Sequence, residues 1–75
     1  MKRAKSDDVY LKKLGQRIKA IRKEKGIKQT ALAYACEIEK QNLYRIEKGN
    51  TNPSILLLRQ ISSELGVSLG ELLDF

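Results

Sequence analysis

The 75-residue sequence has no histidine and no tryptophan, and only one cysteine, one proline, one phenylalanine and three tyrosines. Each shortage excludes some chemistry. Without His there is neither a Ser-His-Asp triad nor a Cys-His pair. One thiol cannot close an internal disulfide, and with no imidazole beside it cannot form a zinc site, so metal chemistry would rest on carboxylates alone. The chain is expected to be no enzyme and to need no cofactor. The lone Cys36 fits a reducing compartment, where its role is that of a small core hydrophobe. No apolar run approaches the roughly 20 residues of a membrane span, and the basic first residues are not followed by the apolar stretch of a signal peptide. These features lead to the expectation of a soluble cytoplasmic chain with no membrane partner and no evident small-molecule ligand. A chain of this size makes one domain at most. It buries only about 60% of its unfolded surface, so it needs locally ideal elements or self-association.

What is present is charge, and it is unevenly placed. Fifteen Lys and Arg against nine Asp and Glu give a net +6. Residues 1–28 hold eleven basic and three acidic groups, a net +8, whereas residues 29–75 hold four and six, a net −2. Such asymmetry suits a polyanionic partner, either nucleic acid or an anionic surface, although Lys-rich helices also serve solubility.

The apolar spacing is helical throughout, and no segment alternates with period two over a useful length. Residues 1–8, with Lys2, Arg3 and Lys5 followed by Ser6, Asp7 and Asp8, read as a basic arm ending in helix-start residues. Leu11, Leu14, Ile18 and Ile21 then form one stripe, predicting a first helix over about 9–25 that Gly26 stops. A short second helix is expected over about 29–36, with Leu32, Ala33 and Cys36 on one face. A third over about 40–48 buries Leu43 and Ile46 and ends at Gly49. Asn50-Thr51-Asn52-Pro53 is a loop, and Ser54 caps a fourth helix that runs to about Leu65. Ser68 and Glu71 have capping-box spacing, and Val67 with Leu72 has hydrophobic-staple spacing, which specifies a short fifth helix. The expected fold is all-α, with five helices in a single domain (9–75).

Residues 29–48 are built as two short helices joined by about three residues. Small Ala33 allows a close crossing, and the second helix leaves a polar face outward. A helix-turn-helix needs this construction, because a projecting helix fits the major groove of B-DNA. The sequence resembles the phage Cro/repressor-like helix-turn-helix domains, the XRE family. The residues that carry the resemblance are Leu14-Gly15-x-Arg17-Ile18-x-x-Ile21-Arg22 and Gly26-Ile27-Lys28-Gln29-x-x-Leu32-Ala33, then Ile38, Leu43, Arg45-Ile46-Glu47-Lys48-Gly49, Asn52-Pro53-Ser54, Leu58 and Leu65-Gly66-Val67. The match covers roughly residues 11–73, nearly the whole chain.

The resemblance implies a set of roles. Lys40, Gln41 and Arg45 match the base-reading face of the recognition helix, with Asn42 and Tyr44 flanking it; Gln and Asn suit adenine edges, Lys and Arg guanine. Lys28 and Gln29 at the start of helix 2, and Lys48 and Asn50 after helix 3, match positions that meet the phosphate backbone. Arg22 and Glu47 match an ion pair tying helix 1 to the end of helix 3. Three positions depart from the family pattern. Glu37 stands where the turn usually has Gly, so it either adopts a left-handed conformation at some cost or the turn differs. Glu39 stands at the usual Ser/Thr cap, where it would complement the helix dipole or accept from a cytosine amine. Leu56 and Leu57 replace polar residues, giving four consecutive apolar positions and more than one buried face.

The resulting expectation is a sequence-specific regulator of transcription that binds double-stranded DNA, a repressor in a bacterial or phage setting, in the cytoplasm at the nucleoid. It would act as a homodimer on a pseudo-palindromic operator with half-sites about 34–36 Å apart. The dimer would form through the C-terminal third, using Leu56 or Leu57 with Leu69, Leu73 and Phe75. A rival from another class is a protein-interaction module, such as an antitoxin-like partner using the same fold. A basic amphipathic membrane binder built on helix 1 is disfavoured, because its apolar stripe is needed for the core.

Overall fold

The computed structural model describes residues 4–75 as five helices: α1 (Lys5–Glu24), α2 (Gln29–Ala35), α3 (Lys40–Lys48), α4 (Ile55–Leu65) and α5 (Leu69–Leu72). Helices two to five follow the expected boundaries to within a residue. The start of α1 does not: it begins at Lys5 rather than near residue 9, so the expected boundary between arm and domain falls inside a helix. The first turn is wholly polar and leaves no apolar stripe to read. Its helix signal is electrostatic, since Asp7 and Asp8 place two carboxylates at the positive end of the helix dipole. Of the expected basic arm, Lys2 and Arg3 lie outside the described residues.

The α1 stripe (Leu11, Leu14, Ile18 and Ile21) packs with Leu32, Ala33 and Cys36 of the α2 segment, Leu43 and Ile46 of α3, Leu58, Ile61 and Leu65 of α4, and Leu72 of α5. Ile18, Leu43, Ile61 and Leu72 are completely enclosed. Cys36 is buried, and desolvation, followed by the nearby Glu64 carboxylate, pushes its thiol pKa up, as a core role requires. The capping box of Ser68 and Glu71 is present, and Val67 packs on the core while Leu72 is enclosed. Arg17, half-buried on α1, donates from Nη2 to the carbonyl oxygen of Glu71 at 2.8 Å and so ties α5 down.

Four helix ends share one device. After α1, α2, α3 and α4, the residue that leaves the helix takes a positive φ: Gly26 at 70°, Glu37 at 56°, Gly49 at 78° and Gly66 at 74°. At each end, two crossed backbone hydrogen bonds close the turn; after α1 these are Gly26 N–H to Lys23 O and Ile27 N–H to Arg22 O. The following residue is apolar after α1, α2 and α4, and Ile27, Ile38 and Val67 all pack against the core. Glu37 therefore adopts the left-handed conformation, and it is the one non-glycine residue with positive φ among those described.

Gly15 serves a different purpose, because α1 packs most extensively on α3. A Cβ at Gly15 would lie 2.5 Å from the carbonyl oxygen of Ile46 and would also strike that of Glu47. Only hydrogen fits between the helices there. Two substitutions should thus move stability in opposite directions. Gly15→Ala forces backbone apart and should cost about 2 kcal/mol or more. Glu37→Gly removes a left-handed side chain and should gain about 1 kcal/mol. Urea unfolding with an unchanged slope would read both; a neutral Gly15→Ala would refute the close approach.

Candidate nucleic-acid interface

The third helix has two sharply different faces. Leu43, Ile46 and Glu47 point inward and are buried, whereas Lys40, Gln41, Asn42, Tyr44, Arg45 and Lys48 are exposed. At 100° per residue, Lys40, Gln41, Tyr44, Arg45 and Lys48 occupy an arc of about 140°, and Asn42 sits beyond its edge. The structure therefore brings four of the five expected base-reading residues onto one outward face, with Asn42 at its margin. Tyr44 is 44% exposed, and the Lys48 Nζ lies 5.7 Å from its ring centroid. The ammonium lies over the ring, which holds the Lys48 stem along the helix.

This face is aimed by one polar cluster beneath it. The Arg22 guanidinium meets the Glu47 carboxylate side-on, Nε donating to Oε2 at 2.7 Å and Nη2 to Oε1 at 3.0 Å. Nη1 donates to the carbonyl oxygen of Ile27 at 2.9 Å, and the Gln29 amide donates from Nε2 to Glu47 Oε1 at 3.0 Å. Both charged side chains are almost entirely buried. A bidentate Arg–carboxylate pair has a fixed plane. The cluster thus holds α1, the 25–28 connection, the start of α2 and the end of α3 in one register. Gln29, expected at a phosphate, is half-buried with its amide nitrogen already engaged. Lys28, exposed beside it, caps the backbone start of α2 with no side-chain hydrogen bond to the helix. Asn50 is exposed just after Gly49, and its own N–H closes the α3 end on Arg45 O. Glu39 takes the cap position of α3 without a side-chain capping bond.

The residues expected at a dimer interface divide. Leu57, Leu69 and Leu73 pack partly against the molecule's own core, so each has only one side to offer. Leu56 is 70% exposed, and Ile55 beside it is exposed too. Phe75 is half-exposed and lies against Tyr10, ring centroids 5.0 Å apart. Sequence reasoning missed the role of Tyr10, which meets Phe75 from α1. Its signal was present, since Tyr10 is an aromatic residue lying off the Leu11–Ile21 stripe.

Two short helices crossing through small residues, with a polar helix projecting from a locked platform, define a helix-turn-helix. The chain belongs to the HTH_3 helix-turn-helix family, whose model matches residues 18–72. It is 47% identical over 62 residues to the HTH-type transcriptional regulator SinR of Bacillus subtilis, covering 81% of this chain and 56% of that protein. The chain thus spans about half the length of the first curated relatives it matches. Among solved structures it is similar to the clp gene regulator ClgR of Corynebacterium glutamicum, with TM-score 0.83 and 28% identity over 85% of this chain and 82% of that one. It is also similar to the restriction-modification controller protein C.AhdI of Aeromonas hydrophila, with TM-score 0.80 and 29% identity over 83% and 94% of the two chains.

Removing half of the buried pair should be costly. Glu47→Ala leaves the Arg22 charge uncompensated in the interior and should destabilise by about 3–5 kcal/mol. The double variant with Arg22→Ala should cost clearly less than the two single costs summed. Additive losses in that thermodynamic cycle would show that the pair is not coupled.

Proposed function

We propose that this chain is the DNA-binding part of a transcriptional regulator, a repressor whose α3 lies in the major groove and reads base edges. The observation that carries this reading is the outward polar face of Lys40, Gln41, Tyr44 and Arg45 on a helix that the Arg22–Glu47 pair clamps at the edge of that face. Arg45 and Lys40 carry the donors that suit guanine, and Gln41 has the amide that suits adenine. Lys28, Gln29, Lys48 and Asn50 position the domain on the phosphates; the Gln29 amide retains one N–H beyond its bond to Glu47. The regulators named above, all similar to this chain, support the same reading. The site of action would be the cytoplasm, at the nucleoid. None of the described helices is long and apolar enough to cross a membrane.

One helix reads only a few base pairs, and two copies on a pseudo-palindrome supply the rest of the specificity. The residues suited to meet a second copy are Leu56, Phe75 and the outer sides of Leu57, Leu69 and Leu73, with Tyr10 against Phe75. Tyr10, Leu11, Leu14, Pro53, Leu58 and Leu73, together with Asp7 and Asn52, line a groove of about 270 Å³ that a largely apolar side chain of the partner would enter. The exposed Ile55 and Leu56 also suit the rival reading, a protein-interaction module of the antitoxin-like kind.

Selection from a random duplex pool tests the DNA reading directly and should return a two-fold symmetric sequence. On the selected duplex, Arg45→Ala and Gln41→Ala should each cost about 1–3 kcal/mol while barely changing affinity for unrelated DNA. An unchanged Arg45→Ala would refute the assigned contact, and failure of any duplex to be enriched would favour the rival. Sedimentation should give a dimer that Leu56→Asp with Phe75→Ala converts to monomer, whereas a wild-type monomer both free and on DNA would remove the dimer.

A further inference from the structure

The exposed face of α1 is more than a solubilising surface. Lys12, Gln16 and Lys19 fall at i, i+4 and i+7, which stacks them on one side of the helix. Gly49 sits against the Lys12 backbone and stem, bringing this side up to the end of α3. Two depressions follow the seam. One, of about 220 Å³, is lined by Lys12, Gln16, Lys19, Glu47 and Lys48. The other, of about 250 Å³, is lined by Lys19, Arg22, Gln29, Tyr44, Glu47 and Lys48. They share Lys19, Glu47 and Lys48, so the seam is one continuous trough.

We infer that this trough is a second anion-binding strip, in which Lys12, Gln16 and Lys19 of α1, with Lys48 of α3, hold successive phosphates of the DNA strand that passes the recognition helix. The inference rests on the duplex-binding reading above and extends it to residues with no role there. Charge supports it. The one acidic side chain in the lining, Glu47, has both oxygens turned onto Arg22 and Gln29, so the open side of the trough is cationic. Continuity supports it too, because Gln29, Tyr44 and Lys48 belong both to the trough and to the proposed DNA-facing surface. From Lys12 to Lys19 the strip runs about 10 Å, at 1.5 Å per residue. Backbone phosphates advance about 3.4 Å along the duplex axis per nucleotide and are spaced more widely along the strand itself, and a strip of this length laid along the strand would still reach more than one. Gln16 between the lysines offers an amide donor and adds no repulsion.

Salt dependence counts such contacts. Lys12→Gln with Lys19→Gln keeps the side-chain stems and removes two charges from the trough. The comparison pair, Lys13→Gln with Lys25→Gln, removes two charges from α1 and the residue after it at positions outside both depressions. Each phosphate contact contributes about 0.9 to the slope of log K against log salt concentration. The trough pair should therefore flatten the slope by about 1.8, equally on a selected and an unrelated duplex, leaving the ratio of the two affinities unchanged. The comparison pair should shift it by well under half of that. Lys19→Gln alone, expected at about 0.9, gives a second reading of the same strip, and thermal unfolding checks that every variant is folded. Equal flattening by both pairs would overturn the strip in favour of general charge, and no flattening by the trough pair would overturn it outright. Both results leave duplex binding standing. A wild-type protein with no duplex affinity at low salt would instead overturn the strip and the reading beneath it together.

Discussion

The geometry of this domain depends on a buried guanidinium. Arg22 has its three nitrogens on partners from two directions, the Glu47 carboxylate on α3 and the Ile27 carbonyl in the connection to α2. A hydrophobic contact in its place would slide, since apolar packing has no preferred direction. A side-on Arg–carboxylate pair fixes a plane. Taking both charges out of water consumes much of what their attraction returns, so the pair is better understood as setting orientation than as adding stability. The orientation it sets is that of α3, whose exposed residues lie on the side opposite Leu43 and Ile46, with Glu47 at the margin between the two faces.

The glycines make that geometry reachable. Gly15 lets the α1 backbone meet the Ile46 and Glu47 carbonyls, and Gly49 lets the end of α3 fold onto Lys12. Close approach at both points shortens the distance the Arg22 side chain must span. Shared helix ends do the rest: a left-handed residue followed by an apolar one turns the chain and returns it to the core after α1, α2 and α4. At the turn inside the helix-turn-helix this device is retained at Glu37, with strain accepted in place of glycine. The double hydrogen bond and the burial of Ile38 outweigh the steric cost of one Cβ.

Features with a local period or a local partner were legible in the sequence. The core stripes, the Ser54 and Ser68 caps and the start of α3 depend on residues one to four positions apart, and the structure agrees with each. The Arg22–Glu47 pair spans 25 positions and came only through family resemblance. Arg17 on the Glu71 carbonyl, 54 positions away, had no signal at all, because any carbonyl can accept and none is marked in a sequence. The start of α1 was missed for the opposite reason: its first turn is helical through charge and chain connectivity, not through burial. Gln29 shows the same limit within the site. Its type and place fit a phosphate contact, yet its bond to Glu47 depends on the position of a carboxylate 18 residues away.

The N-termini of the helices divide in a way that fits the proposed function. Ser54 and Ser68 accept hydrogen bonds from the first turns of α4 and α5. The α1, α2 and α3 helices start at Ala4, Lys28 and Glu39 without side-chain caps, and the last two of these would face DNA. An uncapped first turn leaves backbone N–H groups that need a partner. Water serves in the free protein, and on a duplex a phosphate oxygen beside the start of α2 would serve better, with Lys28 adding charge at the same place. Hydrogen-bonding capacity is thus left open at the two helix starts that would meet the duplex, as it also is at the start of α1. The charge distribution follows the same division, with a net +8 over residues 1–28 and −2 over the remainder. Sequence-independent attraction would then fall mainly to α1 and the start of α2, while α3 adds Lys40, Arg45 and Lys48 to the amide and hydroxyl donors of Gln41, Asn42 and Tyr44. A recognition helix with a heavier charge would grip every duplex alike. With eleven of the fifteen cations in residues 1–28, Gln41 and Arg45 would be left to decide between sequences that this part of the chain has already drawn close.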